Sequence, residues 1–439
     1  MSTVPGFASK LRLSDIQTFK SLKYRDFRLL WAGTIFFAAG NWIQQIAIGW
    51  LMYEETGSAF LVGAVSAART LPFLFVGPIA GVFSDRMDRR KLLLADQFFL
   101  AALALLFALA VVTDHAGPWN ILLFSFLSGA GYSIMNPLRQ TIIANVVPKQ
   151  DAANAIAIAS AAFNFNRVLG PALGGVLITF FGPEMNFLIQ GCCYLVVSVI
   201  VFPMKAQPAR GGGKLKTSAG ADLAEGVRYV MSNSAIFSLI LLAIIPSFFI
   251  MPFTVGLMPV FAKDVLHQDA DGLGWLSAFF GLGGLLGVLI LATAAGSGKG
   301  HKGQMTIQAA AGIASGLALV GLSQMTSVPF AIAFLLAEGA ATLSFVAMNN
   351  THLQSMLPDS MRGRVMSIYM VNVGLAPAGA LIGGTIAEHY GAEDAMLVGA
   401  LISVVVMAGI CVAYRKVLWS EPAVIEAKDE RVAKGGGDG

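Results

Sequence analysis

Charge is scarce in this chain. Only 12% of its 439 residues are Asp, Glu, Lys or Arg, about half the share found in a soluble globular domain. Cysteine is scarcer still. Cys192 and Cys193 are neighbours and Cys411 stands alone, which leaves no disulfide framework and no metal-ligand spacing. The 5 histidines are scattered. Two Gly/Lys-rich stretches, "ARGGGKLK" and "GSGKGHKG", lack the GxxxxGK[ST] pattern of a P-loop, so no ATPase motor lies within the chain. No nucleophile–base pair, metal cluster or cofactor loop is recognisable. The sequence therefore predicts no enzyme, no cofactor, no metal and no nucleic-acid partner. A cleaved signal peptide is missing too. Six basic residues precede the first apolar block, and that block, 29–53, is too long for a cleaved h-region.

What is abundant is apolar surface. The hydrophobic fraction is 56% and the mean hydropathy +0.71. The apolar residues fall in blocks of about 20, the length that spans a bilayer as a helix. Twelve spans are predicted: 29–53, 59–83, 92–112, 120–145, 152–181 and 185–203, then 236–261, 273–295, 304–323, 329–350, 365–387 and 395–414. The expected organisation is a cytoplasmic segment 1–28, a six-helix bundle 29–203, a linker 204–235, a second bundle 236–414 and a tail 415–439. In the first segment "SDIQTFKSL" reads as a short amphipathic helix. Ser14 and Gln17 have capping-box spacing, and Ile16, Phe19 and Phe27 are expected on the membrane surface. In the linker, "DLAEGVRYVM" reads as a surface helix with Leu223, Val227 and Val230 on one face.

Charge placement orients the spans. Of the 29 Lys and Arg, 25 fall on one side of the twelve-span arrangement and only Lys263 on the other. By the positive-inside rule both termini are cytoplasmic. An internal repeat supports two pseudo-symmetric bundles. Val147-Pro148, Gly174-Gly175 and Phe181-Gly182 return as Leu357-Pro358, Gly383-Gly384 and Tyr390-Gly391, 209 or 210 residues later. Parallel repeats of six spans are an architecture of secondary transporters.

The densest charge is in "GVFSDRMDRRK", Gly81 to Lys91. This stretch resembles motif A of the major facilitator superfamily, at Gly81, Asp85, Arg86, Arg89 and Arg90, in the loop where that family carries it. The family's second glycine is Asp88 here, which stiffens the turn and adds a negative charge. "GPALGG", with Gly170, Pro171, Gly174 and Gly175, is similar to motif C of the family's exporters. The opening "YRDFRLLWAGTIFFAAGNWIQQIAIGWLMYEETGSAFLVG" and "NPLRQTIIANVVP" resemble the branch of enterobactin exporters and macrolide efflux pumps. The usual motif B arginine is replaced by Ser125, so its part in proton coupling does not carry over. The resemblance implies an all-α membrane protein of twelve helices in two bundles. It also implies a monomer in the bacterial inner membrane that exports a small amphipathic molecule, a siderophore or a drug, by alternating access. An importer or lipid transporter of the same fold, and a non-transporting receptor or scaffold, are the alternatives.

Asp85 is expected at the N-terminus of span 11 when the cytoplasmic side closes, where a helix end favours negative charge. Arg362 and Arg364 stand ready as partners for Asp85 or Asp88, while Arg89, Arg90 and Lys91 face lipid headgroups. The alternative is that these charges only enforce topology. Within the spans lie Arg69, Arg139, Arg167, Glu338 and Asp96. Such residues read as functional groups or as structural ion pairs, and Asp96 has Arg139 as a possible partner. Arginine does not give up its proton, so the proton-coupling candidates are Glu338 and, behind it, Asp96. The resemblance puts spans 1, 4, 7 and 10 around a cavity. Asn41, Gln44 and Gln45 of span 1 would line it, with Asn136, Asn164 and Asn166 adding polar contacts; interhelical hydrogen bonding is the alternative. Buried arginines suit an anionic or catecholate substrate, whereas amides and aromatics suit a neutral one. Pro246, Pro252 and Pro259 are expected to kink or loosen span 7.

Overall fold

The computed structural model describes residues 17–76, 87–205, 219–295 and 300–420. Among them every regular element is a helix. After a 3-10 segment, Gln17–Lys23, come α1 (Arg25–Thr56), α2 (Ala59–Thr70, with an apolar helical stretch on to Val76), α3 (Arg89–Val112), α4 (Pro118–Val146), α5 (Lys149–Phe181) and α6 (Pro183–Val201). A linker helix α7 (Ala219–Ser232) leads to α8 (Ser234–Val265), α9 (Ala270–Ala295), α10 (His301–Ser323), α11 (Val328–Met356), α12 (Asp359–Tyr390), α13 (Ala392–Ala413) and the short α14 (Arg415–Leu418). Spans 1–6 are α1–α6, and spans 7–12 are α8–α13. Among the described residues, 11 helices are long and apolar enough to cross a membrane. The twelfth expected span, α5, is 33 residues long but is diluted by Asn164, Asn166 and Arg167.

The repeat is visible in backbone angles. Pro148 and Pro358 open α5 and α12 with φ −60°, ψ 150° and φ −63°, ψ 150°. Gly182 and Gly391 close the same helices with φ 83°, ψ 162° and φ 95°, ψ 160°. A side chain at either glycine would be strained, so each copy of the repeat turns from its fifth helix into its sixth on a residue without one.

Among the described residues the two most extensive joints between the halves are α2 with α12 and α5 with α9. Both joints depend on the smallest residue. A Cβ on Gly63 would lie 2.4 Å from the Ala380 carbonyl oxygen, on Gly175 2.4 Å from that of Ala270, and on Gly274 2.6 Å from that of Pro171. Without those atoms the backbones meet directly, as small residues allow in membranes. Gly170 and Gly174 serve the other side of α5, against Trp42 and Ile43 of α1. The motif C glycines thus seat one helix between two neighbours.

Buried apolar residues form three cores. On the face remote from the chain ends one core is shared by both halves: Ile46, Trp50, Val62 and Val65 pack with Phe253, Leu257, Phe261 and Leu276. On the terminus-bearing face the cores are separate. One holds Phe27, Leu93, Leu138 and Val201, the other Ile236, Leu353, Val365 and Leu418.

Two expectations are corrected. Phe27 is 0% exposed inside the first half and not on a membrane surface; the chain has already entered α1 at Arg25. In α7, Val227 is exposed and Val230 buried, so these two valines do not share an environment. Gly226 and Val230 dock the helix, with Gly226 against Ile368 and Arg364 of α12. The prolines of span 7 loosen it, as expected, without ending it. Pro246 and Pro252 open wide π turns, Pro246–Ile250 and Pro252–Gly256, and Pro259 lies in the α-helical segment Met258–Val260 ahead of a third wide turn at Phe261–Val265. In the first, Met251 N–H donates to the Pro246 carbonyl. The wider i→i+5 turn absorbs the donors that proline lacks.

Candidate functional site

A cleft lies between the halves, lined from α1, α5, α8 and α9. These are spans 1, 5, 7 and 8, and spans 1 and 7 are among the four expected around a cavity. Its walls are mostly apolar, with Ile46, Pro171, Met251, Val255, Met258 and Leu273. Its polar groups are Gln45, Ser277 and Arg167. The Arg167 guanidinium lies 5.4 Å from the Trp42 ring and 5.8 Å from the Phe280 ring, and both rings line the cleft. Arg167 makes no hydrogen bond or ion pair with the described residues, and the Trp42 indole N–H is buried with no acceptor. Apolar walls with a few convergent polar groups are the usual form of a small-molecule site.

The amides expected around the cavity divide. Gln45 lines it, but Asn41 and Gln44 are buried in the first half. Asn41 accepts from Arg69 Nη2 at 2.7 Å. Gln44 donates to Ser128 Oγ at 3.1 Å and accepts from Gln190 at 2.7 Å. Those three positions share one side of a helix turn by turn, yet a face more than one residue wide meets different neighbours. Asn164 and Asn166 donate to carbonyls in their own helix, Ser160 at 3.0 Å and Ala162 at 2.9 Å. The Asn136 side chain lies outside the described set. Arg139 stacks over Phe163 at 5.2 Å.

Glu338 is fully buried. One carboxylate oxygen accepts from Thr254 Oγ1 at 2.5 Å, and the other has no partner. Thr254 lies in the second wide turn of α8, between Met251 and Val255 of the cleft wall in sequence. Arg69 donates to Asn41 within the first half. Asp96 is buried and accepts from Gln97 at 3.2 Å; its other oxygen has no partner. It is not bonded to Arg139, which removes that proposed ion pair.

Of the charged loop, Gly81, Asp85 and Arg86 lie outside the described residues, and so does the expected contact of Asp85 with α12. Asp88, the departure from the family pattern, is the N-cap of α3: its carboxylate accepts from the backbone N–H of Arg90 at 2.9 Å and of Lys91 at 3.4 Å. Aspartate is a strong cap, a signal readable in "DRRKLLL" and missed there. Arg89 is 2% exposed and does not face headgroups. Arg90 donates to the Phe202 carbonyl and stacks over that ring at 5.2 Å, tying α3 to the end of α6. Arg364 pairs with Glu225 of α7 at 3.0 Å; Arg362 lies one turn into α12 with it.

Two further polar clusters escaped sequence reading. At the terminus-bearing end of α5, Asp151 receives Tyr24 Oη at 2.7 Å and ion pairs from Lys20 and Lys23 at 3.2 Å each. Ser21 adds bonds to Asn154 at 2.7 Å and to the Asp151 carbonyl at 3.1 Å. At the far face a seam joins the halves. Tyr53 donates to Asp264, Ser58 to Glu388 at 3.1 Å and the Phe60 N–H to Glu388 at 3.0 Å. Thr179 bonds Asp271, and Lys263 lies 5.2 Å from the Trp50 ring.

This geometry is that of a transporter. The model of the transmembrane secretion effectors, a family of the major facilitator superfamily, matches residues 16–430. The chain belongs to that family. This secretion effector is a membrane transporter and not an enzyme. It is 26% identical over 363 residues to a staphyloferrin A transporter of Staphylococcus aureus (80% of this chain, 87% of the relative). It is 25% identical over 377 residues to the multidrug efflux pump Tap of Mycolicibacterium fortuitum (82% and 88%). Macrolide efflux protein A of Streptococcus pyogenes is 23% identical over 276 residues (61% and 67%). Among solved structures, a bacterial homologue of the lysosomal transporter Spinster, inward-facing and unoccupied, superposes with a TM-score of 0.71 at 18% identity (91% of this chain, 100% of that one). A D-xylose–proton symporter superposes at 0.66 and 12% identity (88% and 97%). These likenesses fix the fold.

Proposed function

We propose that this secretion effector exports a small amphipathic molecule, a siderophore or a drug, out of a bacterial cell by proton antiport, as a monomer in the inner membrane with both termini cytoplasmic. The observation that carries the reading is the mostly apolar cleft between two halves whose buried cores merge on one face and stay separate on the other. In the proposed orientation the merged face is external, so the state is inward-facing. Alternating access requires the merged face to part and the separate face to join. The names of the relatives, a siderophore transporter and two kinds of efflux protein, support the substrate class and direction.

Glu338 is the proposed proton site, with Asp96 in reserve. It meets the cleft through Thr254 and the wide turns of α8, a helix form that recurs at functional sites. With the carboxylate ionised, Thr254 donates to it; with the proton added, the pair rearranges and α8 shifts at the cleft wall. In proteoliposomes, Glu338→Gln is expected to insert normally and exchange substrate downhill, but to lose accumulation driven by an imposed pH gradient. Full pH-driven accumulation by the variant moves coupling to Asp96 or to another ion. Counterflow in vesicles of known orientation separates export from import.

A further inference from the structure

Among the described residues the cleft is lined by a cation and no carboxylate. Its lining residues include Arg167 but neither Asp nor Glu, and Glu338 is turned toward Thr254 instead. Arg167, Gln45 and Ser277, all half-buried, make no hydrogen bond with the described residues, and the buried Trp42 N–H has no acceptor either. A charge partly withdrawn from water costs free energy unless it is paired. Two aromatic faces compensate only part of that cost. Arginine and indole N–H groups can only donate, so what completes this site is an acceptor, and for Arg167 a charged one.

We infer that the cleft holds an organic anion: a carboxylate or phenolate bound to Arg167 and the Trp42 N–H, with its flat apolar part between the Trp42 and Phe280 rings. This rests on the transport reading above and narrows its substrate class. Trp42 and Arg167 belong to the first half and Phe280 to the second. The site is therefore complete only while α5 and α9 stay joined. Parting the far face draws Phe280 away from Arg167, so the anion is released as the exit opens.

The test uses the purified full chain in nanodiscs, equilibrium dialysis, and three probes of one shape: 1-naphthoate, 1-naphthamide and 1-naphthylmethylammonium. Naphthoate is expected to bind about tenfold more tightly than the neutral amide, equivalent to about 1.4 kcal/mol. Arg167→Gln removes that preference, Arg167→Lys keeps part of it, and Trp42→Phe weakens naphthoate binding while leaving the amide. Should Arg167→Gln fail to fold, Ser277→Asp, which adds a carboxylate to the same wall, is expected to reverse the preference toward the ammonium probe. Equal binding of naphthoate and naphthamide, or a preference that survives both Arg167→Gln and Ser277→Asp, overturns the anion site. Its failure and that of the export reading are distinguishable. Charge-selective binding without efflux from oriented vesicles sinks export and keeps the site; efflux of neutral probes without charge preference does the reverse.

Discussion

Asp151 shows how much one side chain can organise. It is nearly inaccessible, yet it receives Tyr24 and two lysines. The Tyr24 hydrogen bond, with Lys23 and Lys20 behind it, holds its carboxyl down to about 2. A folded value below the unfolded one contributes stability that is complete above the unfolded value, near 3.9, and is lost as pH falls toward 2. The anchoring of segment 17–24 to α5 is therefore expected to be constant from about pH 5 to about pH 8. Hydrogen exchange of that segment, corrected for the intrinsic rate, reads this. Protection should be flat in the wild type and reduced in Asp151→Asn, which leaves two lysines without a counterion. Loss of wild-type protection inside that range counts against the assignment. Little of this was legible in the sequence. Lys20, Lys23 and Asp151 are separated by a hundred residues and more, and ion pairs of that separation follow from tertiary contact alone. Arg167 was legible as an intramembrane charge because the bilayer makes such residues rare. Its two aromatic neighbours were not, since Phe280 comes from the other half. Thr254, between two prolines, carried no signal of its contact with Glu338.

Among the elements, α5 packs against both halves at once. It meets α1 through Gly170 and Gly174, α9 through Gly175, and the N-terminal segment through Asp151. A side chain at Gly175 would strike the Ala270 backbone, which cannot rotate away. Gly175→Val is therefore expected to push α5 from α9 at a cost of about 1–3 kcal/mol, typical of overpacking. That shifts the population by roughly 5- to 150-fold toward molecules parted on the far face. Electron–electron resonance between labels on His115→Cys and Asp269→Cys should show a longer distance population in the variant. An unchanged distribution means that the α5–α9 joint does not hold that face. Helix lengths were legible from the sequence because a bilayer sets them, and the closing glycines because the repeat shows them twice. The π turns of α8 were not. Proline signals a missing donor, but whether a helix answers by kinking or by widening is decided by its neighbours.

For the whole molecule, the distribution of Lys and Arg predicts the orientation. In a background lacking Cys192, Cys193 and Cys411, His115→Cys and Asp269→Cys are expected to react with an impermeant maleimide added outside intact cells. Arg228→Cys and Lys302→Cys are expected to react only after permeabilisation. Reversal at any one site breaks the twelve-span arrangement. The span count and the two-by-six division could be read from sequence because water, lipid and charge impose them on any chain. The way the halves lean together could not, because it belongs to one state of a molecule that works by changing state.

The far-face seam has a consequence for speed. Its carboxylates, Asp264, Asp271 and Glu388, all come from the second half, and those from the first half that meet them are hydroxyls and a backbone N–H. Among the described residues no ion pair crosses it. Hydrogen bonds of this kind are worth on the order of 1–3 kcal/mol each, less where water reaches them, and water replaces them when the faces part. Such a closure behaves as a catch and not as a bolt. It holds long enough to keep the two compartments separate, and it yields without the penalty of stranding a buried charge. A carrier that must open the same joint once per cycle is limited by its slowest release, and the polar contacts of this seam add no ion pair to hold that release back.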